Sequence, residues 1–146
     1  MINIFQCPYD QRLQTWYELR KKITGQDTKT IAIEVDKWWQ QTPLVNHYLH
    51  PDFVNQWPDP WELIHENTYC TIARGLGMVY TLHLLGINKI DFVEAKDYNN
   101  EDVVLVLVED AKYILNYWPN TVVNNILRDF TVKQTIDISE LIRKIK

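Results

Sequence analysis

The chain has 146 residues, 46% of them hydrophobic, and carries 15 Lys and Arg against 19 Asp and Glu, a formal charge of -4. This length suits one domain with a core of its own. Its longest apolar runs, 78–85 and 103–108, are far too short to span a membrane. Its scattered cations form no stripe that could follow phosphates, so neither a membrane nor a nucleic acid is an expected partner.

In chain order, Asp10 is expected to cap a first helix that runs to about Thr24. Leu13, Trp16, Tyr17, Arg20 and Ile23 keep helical spacing there, and Gly25 stops it. Asp27 caps a second helix whose inner stripe is Ile31, Val35, Trp38, Trp39 and Thr42, and Pro43 ends it. The Trp38 and Trp39 pair reads as one core and one half-exposed residue. Residues 43–60 read as loop, rich in aromatics and too apolar for a linker. Pro60 opens a short helix to His65. A further apolar helix then starts at Cys70 and stops at Gly86, and its small residues Cys70, Ala73, Gly77 and Thr81 share one face. Gly75 and Gly77 lack the leading strand and third glycine of a nucleotide-binding turn, so close packing is the expected reason for them.

After Gly86 the period changes to that of strands. Residues 89–95 read as a strand, 97–102 as a turn-rich loop, and 103–109 as a strand buried on both faces. Residues 109–112 form a hairpin turn and 113–118 the returning strand. Residues 122–132 fit either a strand or a short helix. Asp137 and Glu140 have capping-box spacing, and Ile138, Leu141, Ile142 and Ile145 give a last amphipathic helix over about 137–146. Helices followed by an antiparallel sheet define an α+β domain spanning residues 1–146.

Cys70 is the residue with chemical promise. A thiol at the start of a buried helix lies in the positive field of the helix dipole, which favours thiolate. The bland reading is a small, inert core residue. Two cysteines, Cys7 and Cys70, make no disulfide framework, and His47 with His50 has no further ligands beside it, so no metal or cofactor is expected. The aromatics Tyr48, Phe53, Trp57 and Trp61 are candidate interface anchors, with core filling as the alternative.

Residues 57–73 (WPDPWELIHENTYCTIA), the LGI at 85–87, the run EDVVLVLV at 101–108 and YILNY at 113–117 together resemble the bacterial transglutaminase-like cysteine peptidases, over roughly residues 30–123. The resemblance implies a papain- and transglutaminase-like α+β fold in which Cys70 stands at the nucleophile position. It places the family's histidine at or near Asp102 or Val103, and its orienting aspartate at Asn116. The family's acidic flanks of the cysteine are Tyr69 and Thr71 here. A carboxylate at Asp102 is a poor substitute base, since an ordinary one titrates near about 3.9, and an asparagine at 116 has no histidine to orient. His50 or His65 swinging toward Cys70 would rescue the pair.

The expectation is therefore a non-catalytic structural or binding module with a protein partner or a second copy as its ligand. The competing expectation is an active cysteine hydrolase acting on amide bonds through Cys70. The composition, rich in Asn, Trp and Tyr and poor in Gly, also resembles small proteins of tailed bacteriophages. That implies a virion component or an accessory protein in the host cytoplasm. The first residues lack the basic start and apolar stretch of a secretion signal, in keeping with an intracellular protein.

Overall fold

Two N-terminal helices, α1 (Tyr9–Ile23) and α2 (Thr28–Trp39), turn their apolar stripes to a third, α4 (Thr71–Leu84), with α3 (Pro60–Glu66) leading into it. The computed structural model describes residues 3–46, 48–123 and 129–145. The sheet follows as β1 (Ile90–Lys96), β2 (Asp102–Val108), β3 (Tyr113–Leu115) and β4 (Thr131–Thr135), and the short α5 (Ser139–Arg143) comes last. The strands lie in the order β3-β2-β1-β4, and every neighbouring pair is antiparallel. The architecture is α+β. Among the described residues no helix is long and apolar enough to cross a membrane.

Caps set several of these boundaries. Asp27 accepts from Thr30 N–H and starts α2 as expected. Asp59 and Glu62 form a reciprocal capping box around Pro60 at the start of α3. The start of α1 departs from the expectation. Pro8 stands at its N-cap and Asp10 lies in the first turn, because the Pro8 carbonyl already accepts from Gln11 and Arg12. At the last helix Asp137 accepts from the Ser139 N–H and hydroxyl, while Glu140 pairs with Arg143, so no capping box forms. That helix is also shorter than the sequence pattern predicts.

The core is built around Thr81, which is fully buried. Its hydroxyl accepts from the indole N–H of Trp16 at 2.9 Å and of Trp39 at 3.0 Å, and donates to the Gly77 carbonyl at 2.7 Å. One side chain thus ties α1, α2 and α4 together with its hydrogen-bonding capacity filled. Gly77 is small because Trp39 lies on it: a Cβ there would sit 2.5 Å from the indole ring. Trp38 and Trp39 are both buried, so the expected half-exposed member of that pair is absent; Tyr17 on α1 is exposed.

Arg12 is buried beneath α1 and reaches the end of α3. It donates to Ile64 O from Nε (3.2 Å) and Nη2 (3.0 Å), to His65 O (3.3 Å) and to Cys7 O (2.6 Å). It therefore satisfies carbonyls that a helix C-terminus leaves without partners.

β2 is buried on both faces, as its unbroken apolar run predicts. Val104, Val106 and Val108 join the helical core, while Leu105 and Leu107 pack with Val93, Ile114 and Phe130 on the other side. β3 ends at Leu115, earlier than predicted, since Asn116 takes a left-handed backbone (φ 70). Of the ambiguous segment, Thr131 and Val132 begin β4, and residues 124–128 lie outside the described residues.

Candidate functional site

Cys70 is the N-cap residue of α4, one position before its first turn, and its side chain makes no capping bond. The loop before it sets the surroundings. Leu44 bridges to Tyr69, Val45 N–H donates to Tyr69 O at 2.7 Å, and Leu49 N–H then reaches the Cys70 sulfur at 3.5 Å. Cys70 is 4% exposed and lines a cleft of about 350 Å³ between Asn46, Leu49, His50 and Pro51 on one side and the edges of β1, β2 and β4 on the other. Asp102 and His50 line the same cleft. Two of the groups weighed from the sequence thus come together with Cys70.

Neither is poised to take its proton. Asp102 lies on Lys96 Nζ at 2.9 Å and Lys133 Nζ at 3.6 Å, and Lys96 foremost holds its carboxyl below the ordinary carboxylate range. A carboxylate so stabilised is a weaker base than a free one. His50 Nδ1 accepts the Asp52 N–H at 3.1 Å and caps the 3-10 turn Pro51–Gln56. That bond uses the ring's lone pair and puts the proton of the neutral imidazole on Nε2. The Asp52 carboxylate is farther from the same nitrogen, at 3.7 Å. His65 is stacked edge-on to Tyr9 and does not line the cleft, and His47 lies outside the described residues. Among the described residues, the hydrogen bond to the sulfur comes from Leu49 N–H, and no three His, Cys, Asp or Glu side chains converge as metal ligands.

Asn116 has a different task from the one its position implies. Its amide donates to Thr71 O at 2.9 Å and Val104 O at 2.8 Å, and its oxygen accepts from Arg74 Nε at 2.6 Å. Its backbone N–H donates to Asp36 at 2.9 Å. The side chain is fully engaged in binding the start of α4 to β2, with nothing left to orient a base. Gly75 allows this approach, for a Cβ there would lie 2.7 Å from the Asn116 amide and from Phe92.

The four aromatics divide. Trp57 is buried and donates its indole N–H to His50 O at 3.0 Å, so it is a core residue and is unavailable to a partner. Tyr48 is half-buried, and burial first, then Glu66 and Cys70, push its phenol up. Phe53 and Trp61 are exposed, at 55% and 40%.

The set formed by Asp36, Asn116 and Arg74 escaped sequence reasoning. Arg74 is the only Lys or Arg in α4, which was the available signal. Burial lowers the Arg74 pKa and raises that of Asp36. A raised carboxyl pKa means that the folded state binds the proton more tightly than the unfolded one. Its stabilising contribution is complete below about 3.9 and is lost as pH rises through the folded value. Asp36→Asn keeps an oxygen for the Asn116 N–H. It is expected to flatten that limb of the stability curve, measured by urea unfolding at stepped pH. Parallel curves for the two proteins would contradict it.

Compared with known proteins, the chain matches no family model and no curated protein.

Proposed function

We propose that this protein is a non-catalytic binding or structural module on a transglutaminase-like α+β fold, engaging a protein partner or a second copy of itself. One observation carries the reading. Neither group weighed as a base in the Cys70 cleft is free: the Asp102 carboxylate is held as an anion by Lys96 and Lys133, and the His50 Nδ1 lone pair is taken by the Asp52 N–H. A thiol nucleophile needs a base within hydrogen-bond reach. Exposed Phe53 and Trp61 supply aromatic anchors of the kind interfaces favour. A tailed-phage virion component or accessory protein is the role that joins this reading to the composition. The competing hydrolase reading is favoured only by His50 lining the same cleft, and it needs that ring released from Asp52 N–H.

Iodoacetamide at neutral pH, followed by peptide mass spectrometry, is expected to modify Cys70 no faster than the partly exposed Cys7. In a particle-assembly or partner-capture assay, Cys70→Ala should retain function and the double change Phe53→Ala, Trp61→Ala should lose it. Rapid alkylation of Cys70, with loss of function in Cys70→Ala at unchanged melting temperature, would establish catalysis instead.

A further inference from the structure

A second cleft, of about 390 Å³, opens beside the first turn of α4, between the start of β2 and the 116–119 segment. Arg74 stands in its wall and is 8% exposed. Its Nε is bound to Asn116, but among the described residues neither terminal nitrogen has a hydrogen-bond partner and no carboxylate lies within ion-pair distance. Arg74 thus lines this space with a guanidinium whose terminal donors are not taken up, Asp36 being near enough to act on it only through its charge, and a carboxylate matches that fork. The N-cap of α4 has no side-chain cap, so the first-turn N–H groups add positive field at the same end.

The remaining lining argues against a simple anion. Asp97, Glu101 and Asp102 line the same cleft; Asp97 accepts from the Asn99 and Glu101 N–H groups and the Tyr117 hydroxyl, Asp102 is paired with Lys96 and Lys133, and Glu101 is exposed with no ion pair among the described residues. A bare carboxylate would be repelled by them, whereas a ligand that also carries a cation would be held at both ends. Trp118, 65% exposed, and Tyr117 form an aromatic wall at the same place, suited to an apolar stem or a cation.

We infer that this cleft binds a zwitterionic ligand through a carboxylate on the free Nη groups of Arg74 and a cationic group against Glu101 and Asp97, beside Trp118. A free α-amino acid and a peptide ending in lysine both carry this chemistry.

Isothermal titration calorimetry of the whole chain with L-lysine, L-tryptophan and an acetylated pentapeptide ending in lysine tests it, each also as the C-terminal amide. The acids are expected to bind, and the amides to bind at least about tenfold more weakly, since the amide has no charge and sets an NH2 donor against one of the two guanidinium donors. Binding of the free amino acids marks a small-molecule site, and binding of the peptide alone marks recognition of a protein terminus. Arg74→Lys should lose the preference for acid over amide. Should that variant fail to fold, Glu101→Gln and Trp118→Ala, both at exposed positions, should each weaken binding several-fold with an unchanged circular dichroism spectrum. Equal binding of acid and amide, unchanged binding in Glu101→Gln and Trp118→Ala, or no heat with any probe, would overturn the inference.

Discussion

Thr81→Val is expected to destabilise the protein by about 2–5 kcal/mol, a large share of the roughly 5–15 kcal/mol that holds a typical domain folded. Valine keeps the shape but removes the oxygen that receives the Trp16 and Trp39 indoles. Both indoles are buried, so each N–H left without a partner bears its own desolvation cost. Thr81→Ser is the companion. It keeps the hydroxyl and deletes one buried methyl, for a cost nearer about 1 kcal/mol. Urea unfolding of the two variants separates hydrogen bonding from packing. If serine proves as damaging as valine, the indole bonds are not what secures the helices.

Asn116→Ala should cost a comparable amount, about 3–5 kcal/mol, through two separable effects. The side chain leaves Thr71 O, Val104 O and Arg74 Nε without their partner. The backbone holds φ at 70, which asparagine tolerates better than alanine. Asn116→Gly loses the same bonds and relieves the backbone, so it should be about 1 kcal/mol less damaging than alanine. Asn116→Asp, which installs the residue type of the resembling peptidases, sets a carboxylate oxygen against two carbonyls. It should also destabilise despite the gain beside Arg74. Midpoints at an unchanged urea slope are the measurement. A neutral Asn116→Asp would mean that the carbonyls at 71 and 104 find other donors.

The elements legible in the sequence were those whose cause is local. Asp27 caps α2 through Thr30, and the runs that became β1 and β2 carry their period in consecutive residues. The start of α4 was placed to within one residue by Cys70. What could not be read depends on partners distant in the chain. Nothing near Asn116 announces that its N–H will leave the strand for Asp36, 80 residues earlier, and so the returning strand ends sooner than its apolar pattern predicts. The same applies to Trp57, a loop aromatic that looks like an anchor until Phe92 and the His50 carbonyl enclose it. At the candidate site the sequence brought Cys70 and Asp102 toward one place. The two lysines that pin Asp102 come from β1 and β4, and no spacing rule connects them.

The partners of Arg12 do not respond to acid. They are main-chain carbonyls of Cys7, Ile64 and His65, which neither titrate nor carry a charge that salt can screen. The clasp of Lys96 and Lys133 on Asp102 joins β1, β2 and β4 at the surface and is of the opposite kind. Its carboxyl titrates below the ordinary value, so its contribution is present above about 3.9 and disappears as pH falls through the depressed one. Acid therefore removes one surface clasp from the β4 side of the sheet, a contact of modest worth, and leaves the hydrogen bonds of the guanidinium at the α1 and α3 junction unchanged.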